Sequence, residues 1–498
     1  MTYVEYKQLS PMQKFAYNFK KFFKNLPGAV ARFFKGIGLA IVHFFVGIGK
    51  GFVNYGVTFV KGDWATKISY VIFGFGDFQK GKYYKGILYC AVEVIYILYM
   101  VLFGGAQISL FPTLGYLKQI QTFDDDGFPV VKEGHNSMQI LLYSTLTIVI
   151  TVVVFAVYIS NIKDAYRHQV MKKNGEKPTS FITDAKEFLD GKYHITLLSF
   201  PILMITIFNI LPLIFMILIA FTNYDGYEHS TLFDWVGFAK FGDLVNVIDN
   251  AKKARTFMGI AGWTLIWAVA ATFSNYILGL IVALMINKKG IKFKSVFRTM
   301  FVITIAVPQF VSLLLMSQIL HEQGAFNILL GHITGTNPKM HFLDGEPWVA
   351  KLTVIIVNCW VGIPYTILSM SGILMNIPED LYESARIDGA SPYKTFTKIT
   401  LPYMIFVTTP QLITQFVGNI NNFNVIFLLT GGKPVNADYH NAGHTDILVT
   451  WLYNLSMGES KDYGLASAIG ILVFVICATL SLIIYNNSKS MKDEEAFS

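Results

Sequence analysis

Residues 383–402, ESARIDGASPYKTFTKITLP, lie between two long apolar spans and are too polar to enter a membrane themselves. The stretch reads as two short helices joined by a turn. Glu379, Asp380 and Glu383 crowd the start of the first helix behind Pro378, where negative charge suits the positive helix end. Gly389 follows its last turn, the place of a left-handed stop. Ser391 can then cap a second helix, with Pro392 at its first position. That helix carries Lys394 and Lys398 and is expected to end before Leu401-Pro402.

Outward from this elbow the chain is greasy. Its 498 residues are 53% hydrophobic and 14% charged, too apolar for a soluble protein of this length. Runs of about 20 apolar residues suffice to cross a bilayer as helices. Eight such spans are expected, near 86–104, 139–159, 196–222, 258–286, 299–320, 350–374, 403–428 and 463–485. The net charge of +8 could point to nucleic acid, but Lys and Arg gather in loops and at span ends, as the positive-inside rule predicts, so no nucleic acid is expected as a partner. The 287–298 loop has Lys288, Lys289, Lys292, Lys294 and Arg298 and no acid, which puts it in the cytoplasm. Counting from there puts residues 375–402, the basic segment 161–194 and both termini inside, and the loop with Asp124, Asp125 and Asp126 outside. Cys90, Cys359 and Cys477 sit in spans and give neither a disulfide framework nor a zinc spacing. No cleavable signal peptide is expected.

Residues 12–60 repeat every eleven positions: Phe22-Phe23, Phe33-Phe34 and Phe44-Phe45 keep step with Leu26, Ile37 and Ile48 and with Val30, Ile41 and Phe52. Eleven residues make close to three helical turns, so these side chains form one stripe. Lys21, Lys24, Arg32 and Lys35 flank it. Such a helix either lies on an anionic membrane surface or packs as a hairpin on the rest of the protein.

The elbow also fits a family pattern. Glu383-Ser384-Ala385, then Asp388-Gly389, then Ile399-Thr400-Leu401-Pro402 resemble, in register, the EAA loop of membrane-spanning subunits of binding-protein-dependent ABC importers, with Ser384 in place of the commoner alanine. The likeness covers roughly 195–485. It includes FTNYDG at 221–226, Asn422-Phe423, LLTGG at 428–432, GHTDILV from Gly443 and DYGLASAI at 462–469. Two spans before a six-span core look most like the MalF-type maltose/maltodextrin permeases, although the 223–257 loop is short where some of those insert a whole domain.

The resemblance implies an all-α integral membrane protein of eight transmembrane helices. Its parts are an amphipathic region (1–83), two extra spans and a basic loop (84–194), a six-helix type I importer core with the coupling loop at 375–402 (195–485), and a tail (486–498). It implies a multi-pass protein of a bacterial cell membrane, surrounded by lipid. Its partners would be a second, MalG-like permease chain, two MalK-like ATPase subunits and an extracellular sugar-binding protein. ATP and Mg would be bound by the ATPase, with no cofactor or metal in this chain. Glu383, Ser384, Ala385, Asp388, Gly389, Leu401 and Pro402 would couple to that ATPase.

Polar side chains inside spans are costly and need partners. The seventh span holds Asn419, Asn421, Asn422 and Asn424, with Asn419 and Asn422 on one helix face. An amide donates and accepts, as a sugar hydroxyl does. The sixth span adds Asn358, Trp360, Gly362, Pro364 and Tyr365, where Gly362 and Pro364 should loosen the helix. The fifth adds Pro308 and Gln309. Residue chemistry alone leaves two readings open, an uncharged carbohydrate site or helix-to-helix hydrogen bonding. The resemblance puts sugar contacts on Asn358, Val361, Gly362, Tyr365, Asn419 and Asn422. Gln309 stands where the family has serine, and Ile305 and Gly418 where it has aromatic residues. A roomier site and a longer oligosaccharide than maltose follow.

His440 and His444, near Asp446, read as solvated loop histidines rather than metal ligands. No G-x-x-x-x-G-K-[ST] sequence occurs, so ATP is not expected to bind this chain. No nucleophile–base or paired-carboxylate spacing suggests an enzyme. A secondary transporter would need ionisable relays within the spans, and only Glu93 offers itself there. A local hydrogen-bonded role suits Glu93 better. A non-transporting scaffold or sensor is the other alternative.

Overall fold

The computed structural model describes residues 51–487 apart from 124–127, 133, 177–180, 247, 249, 289 and 337–338, with scattered positions between 28 and 50. The acidic run Asp124–Asp126 and every named member of the eleven-residue repeat except Phe52 lie outside the described residues. Two compact units divide the chain, one of residues 35–240 and one built from Phe241–Ser498.

In the first unit residues 51–61 are helical. They lead to α1 (Trp64–Ile68), α2 (Phe75–Gln79), α3 (Tyr83–Leu110), a hairpin of β1 (Ile120–Phe123) and β2 (Pro129–Lys132), α4 (Ser137–Lys173), α5 (Phe181–Leu189) and α6 (Tyr193–Ile219). β1 and β2 are antiparallel, with Ile120 opposite Lys132. α4 carries the second span on without a break, and 37 residues reach roughly 55 Å at 1.5 Å each, well past the hydrocarbon core. Its basic end anchors α1 and α2 through buried polar groups. Lys80 donates to Thr66 Oγ1 at 2.8 Å and to the Ala165 carbonyl at 2.7 Å, with Asp63 at 3.4 Å. His168 Nδ1 meets Asp77 at 2.6 Å, and Asn161 donates to the Ser69 carbonyl while accepting from Gly74 N–H. Lys80, Asn161 and His168 therefore each have partners that offset their desolvation, while Asp77 meets His168 through Oδ1 and leaves Oδ2 unpartnered. Glu93 accepts from Phe73 N–H at 2.9 Å, the local role the sequence favours.

The second unit holds α7 (Ala251–Asn287), α8 (Lys294–Ala306), α9 (Gln309–Ile319), α10 (Ala325–Thr334), α11 (Pro347–Met375), α12 (Glu379–Ile387), α13 (Pro392–Ile420), α14 (Phe423–Leu429), α15 (Leu448–Met457) and α16 (Tyr463–Asn487). Among the described residues of both units, six helices are long and apolar enough to cross a membrane, and the bent pairs α8–α9 and α13–α14 bring the number to as many as eight. Each expected span falls on one of these. The division at residue 241 groups α6, the first span of the expected 195–485 core, with the N-terminal helices.

Three local expectations are corrected. The second helix of the elbow does not stop before Leu401-Pro402 but runs on as α13 to Ile420. A π-helical turn over Phe396–Thr400 widens the helix just ahead of Pro402, which cannot donate to the preceding turn and would crowd it. The same solution appears in α6, where a π turn at Thr206–Ile210 precedes Leu211-Pro212. α11, in contrast, stays continuous through Gly362 and Pro364. The fifth and seventh spans are the broken ones, bent by 87° at Val307-Pro308 and by 40° at Asn421-Asn422.

Candidate functional site

The elbow is built as its residues require. Ser391 Oγ accepts from Lys394 N–H, Pro392 is the first residue of α13, and Gly389 has φ 67°. The Gly389 and Ala390 N–H groups close the end of α12 on the Arg386 and Ala385 carbonyls. α12 has two unlike faces. Ala385 is buried, and the Tyr382 hydroxyl meets Thr400 Oγ1 at 3.0 Å. Tyr382, Ile399 and Leu401 pack on a cluster that includes Leu280 and Ala283 of α7, Ile367 and Met370 of α11 and Met404 of α13. The other face carries Glu383, Ser384 and Asp388, all exposed, and Ile387 at 87% exposure. Leu401 and Pro402 are part of α13 behind it.

The polar residues of the spans separate into three places. Gln309, Val361 and Tyr365 line a cavity of about 330 Å³ with Phe301, Thr304, Ser312 and Trp360. Trp360 is 53% and Tyr365 48% exposed, so both rings offer open faces. Asn358 is buried, and its Nδ2 has no partner in the structure. Gly362 packs against the side chain of Asn275 on α7, whose Oδ1 is likewise unpartnered. Asn419 donates to Thr272 Oγ1 of α7 at 2.9 Å and accepts from Asn422 Nδ2 at 3.3 Å. Asn419 and Asn422 do not share one helix, because Asn421 ends α13 and Asn422 caps α14 by accepting from Val425 N–H. They nevertheless meet side chain to side chain. Thr272 and Asn275, three apart on α7, thus join the α11 group to the α13–α14 group. Sequence reasoning passed over both, although Asn275 is an amide within a span, the signal used for the sixth and seventh. The expected loss of aromatic surface at Gly418 leaves open space, since a Cβ there would meet nothing within 4 Å. Ile305 stays half-buried, while Phe301, one turn earlier, supplies a ring to the cavity.

The GHTDILV stretch folds into a lock among the amino-terminal part of α7, the carboxyl end of α14 and the amino end of α15. Trp263 Nε1 donates to the Thr445 carbonyl, Leu448 N–H to Thr264 Oγ1, and His440 N–H to Thr256 Oγ1. Asp446 is buried against Gly432 and accepts from Gly443 N–H at 2.8 Å and Thr450 Oγ1 at 2.7 Å. Burial pushes its carboxyl up to about 6 despite these donors. His440 and His444 are half-buried rather than solvated, and burial lowers both.

The family described as binding-protein-dependent transport system inner membrane component matches residues 275–493, which take in the cavity, the elbow and the lock. A maltodextrin transport system permease protein of Bacillus subtilis (strain 168), MdxF, is 32% identical over 433 residues, covering 85% of this chain and 95% of that one. The chain belongs to this family of importer permeases. The galactooligosaccharides transport system permease protein GanP of the same organism is 34% identical over 428 residues, 85% of this permease and 97% of GanP. MalF of Escherichia coli (strain K12) is 35% identical over 262 residues, 49% of its length. These relatives place the chain among the MalF-like carbohydrate permeases, multi-pass proteins of bacterial membranes. A crystal structure of a bacterial ABC transporter that imports the acidic polysaccharide alginate shares the fold, with a TM-score of 0.50 and 22% identity over 61% of this chain and 97% of that one.

Proposed function

We propose that this permease carries an uncharged oligosaccharide through the membrane by alternating access, driven by ATP hydrolysed in separate subunits. Its partners in this reading are a second permease chain, two ATPase subunits docked on the elbow, and an external sugar-binding protein. Both termini and the 375–402 loop lie in the cytoplasm. The two-faced elbow carries the proposal. Its inner face is continuous with the packed ends of α7, α11 and α13, so displacement of α12 must displace those helices. Its outer face presents Ile387, a large apolar side chain with carboxylates nearby, as a knob for another protein. Closure of an ATP-bound pair would pull on that knob and shift the population between inward- and outward-open states.

Beside the middle of α11, Thr304 of α8 and Gln309 and Ser312 of α9 offer hydrogen bonds, while Trp360 and Tyr365 of α11 offer rings for the apolar faces of sugars. Asn358, Gly362, Asn419 and Asn422 would join the site as α7 shifts against α11 and α13. The unpartnered Asn275 Oδ1 and Asn358 Nδ2 are the groups free to accept that change. The test is binding-protein-stimulated ATPase activity of the purified complex over a panel of neutral oligosaccharides. Stimulation by one series, abolished by Glu383→Lys, is expected. Stimulation untouched by Glu383→Lys would overturn the coupling role.

A further inference from the structure

The first unit holds a second cavity that sugar transport does not use. About 400 Å³ in volume, it lies between helical residues 51–58 and the middle of α4. Its walls come from two helix faces of matching period: Gly51, Tyr55 and Thr58 on one side, and Phe155, Ile159 and Ile162 on the other. The two helices touch through the Tyr55 and Tyr158 hydroxyls at 2.6 Å, and Tyr158 is tied to the Tyr70 carbonyl, which fixes the floor. Gly51 has nothing within 4 Å of where a Cβ would be, so the absent side chain keeps the cavity open. The lining is mainly aliphatic and aromatic. Lys163 stands at one end, exposed, and among the described residues it makes no ion pair. It lies eight residues beyond Phe155 on α4, roughly 12 Å along the axis.

An apolar slot that ends in one free cation, at the level where α4 leaves its apolar run for its basic end, matches the division of an anionic phospholipid into chain and headgroup. The geometry points to a specific anionic-phospholipid site here, with an acyl chain between residues 51–58 and α4 and the headgroup phosphate on Lys163. A slot of this size is within the range of small-molecule sites, about 300–1,000 Å³. The occupant would hold the N-terminal helix against α4, which assigns a task to a region the transport reading leaves idle.

The experiment uses the full chain in phosphatidylcholine nanodiscs doped with either spin-labelled phosphatidylglycerol or spin-labelled phosphatidylcholine, reading the immobilised fraction. Several-fold enrichment of phosphatidylglycerol over phosphatidylcholine is expected. Lys163→Ala should remove the enrichment, Gly51→Leu should reduce immobilisation of both lipids by filling the slot, and Lys173→Ala should change neither. Helix content of every variant, read by circular dichroism, separates lost binding from lost folding. Equal immobilisation of the two lipids by the unmodified chain would overturn the proposal. So would equal losses in Lys163→Ala and Lys173→Ala, which would mean diffuse attraction to basic residues. Sugar-stimulated ATPase activity plays no part in the readout, so the site stands or falls apart from the transport reading.

Discussion

Gly389 is the one position in the elbow where backbone conformation dictates the residue. At φ 67° a β-branched side chain meets the following carbonyl, at a cost of about 1–2 kcal/mol. Gly389→Val should therefore misdirect α12 and reduce co-purification with the ATPase, while Gly389→Asn, which tolerates the left-handed region, should keep most of it. Equal recovery of both variants would mean that the left-handed stop does not aim the elbow. Asp446 offers a second test. Its folded-state carboxyl titrates at about 6 against an ordinary 3.8, so the buried charge opposes folding. The lock is most stable with Asp446 protonated, below about pH 4. It loses about 3 kcal/mol as pH rises from 4 to 6, and no more above that. Melting of detergent-solubilised protein should show this slope, and Asp446→Asn should flatten it. A slope unchanged by Asp446→Asn would assign the titration to another group.

Helix pairs show what composition and period reveal and what they hide. Every expected span lies on a long helix or a bent pair, because a bilayer demands a run of apolar residues that is visible without any partner. The caps of the elbow were equally legible, since Ser391, Pro392 and Gly389 act on their own neighbours. Breaks were not. Pro364 sits within continuous α11, whereas Pro308 and the Asn421-Asn422 step mark bends, because bending depends on which neighbour receives the freed backbone groups. Gly362 looked like a loosening residue and is instead a contact. Asn275 seats against it, and one turn along Thr366 of α11 seats against Gly279 of α7, so each helix lends the other a glycine. The binding residues were legible as types but not as a group, since the meeting of Asn419 with Thr272 depends on packing between helices far apart in sequence. Gly362→Leu should wedge this crossing apart and cost about 1–3 kcal/mol by overpacking. Asn275→Ala in the same chain should recover part of that loss in melting temperature. No recovery would mean that Asn275 is not what fills the space over Gly362.

The distribution of paired and unpaired charge over the second unit supplies an argument for orientation that counting spans does not. The amino end of α7 carries Lys252, Lys253 and Arg255, a cationic cluster at the end read as external. There Lys253 lies 3.1 Å from Asp243 and 3.8 Å from Asp462, and Arg255 lies 4.0 Å from Asp438, so acids of three separate segments answer the cations. At the opposite end of α7, Arg298 and Lys294 are held by Asn287, an uncharged residue, and Lys288 and Lys292 make no ion pair among the described residues. Unpaired cations are free to meet the anionic cytoplasmic leaflet, whereas cations already paired with carboxylates are drawn to it less. The 287–298 end of α7 should then face the cytoplasm, with the elbow on the same side and the Asp438 loop outside. In a chain with Cys90, Cys359 and Cys477 replaced, Asp438→Cys should react with a membrane-impermeant maleimide in intact cells. Lys394→Cys should react only in inverted vesicles. Both positions are exposed, so reactivity reports sidedness rather than burial. The reverse pattern would put the elbow out of reach of any cytoplasmic ATPase, and the proposed coupling would fail with it.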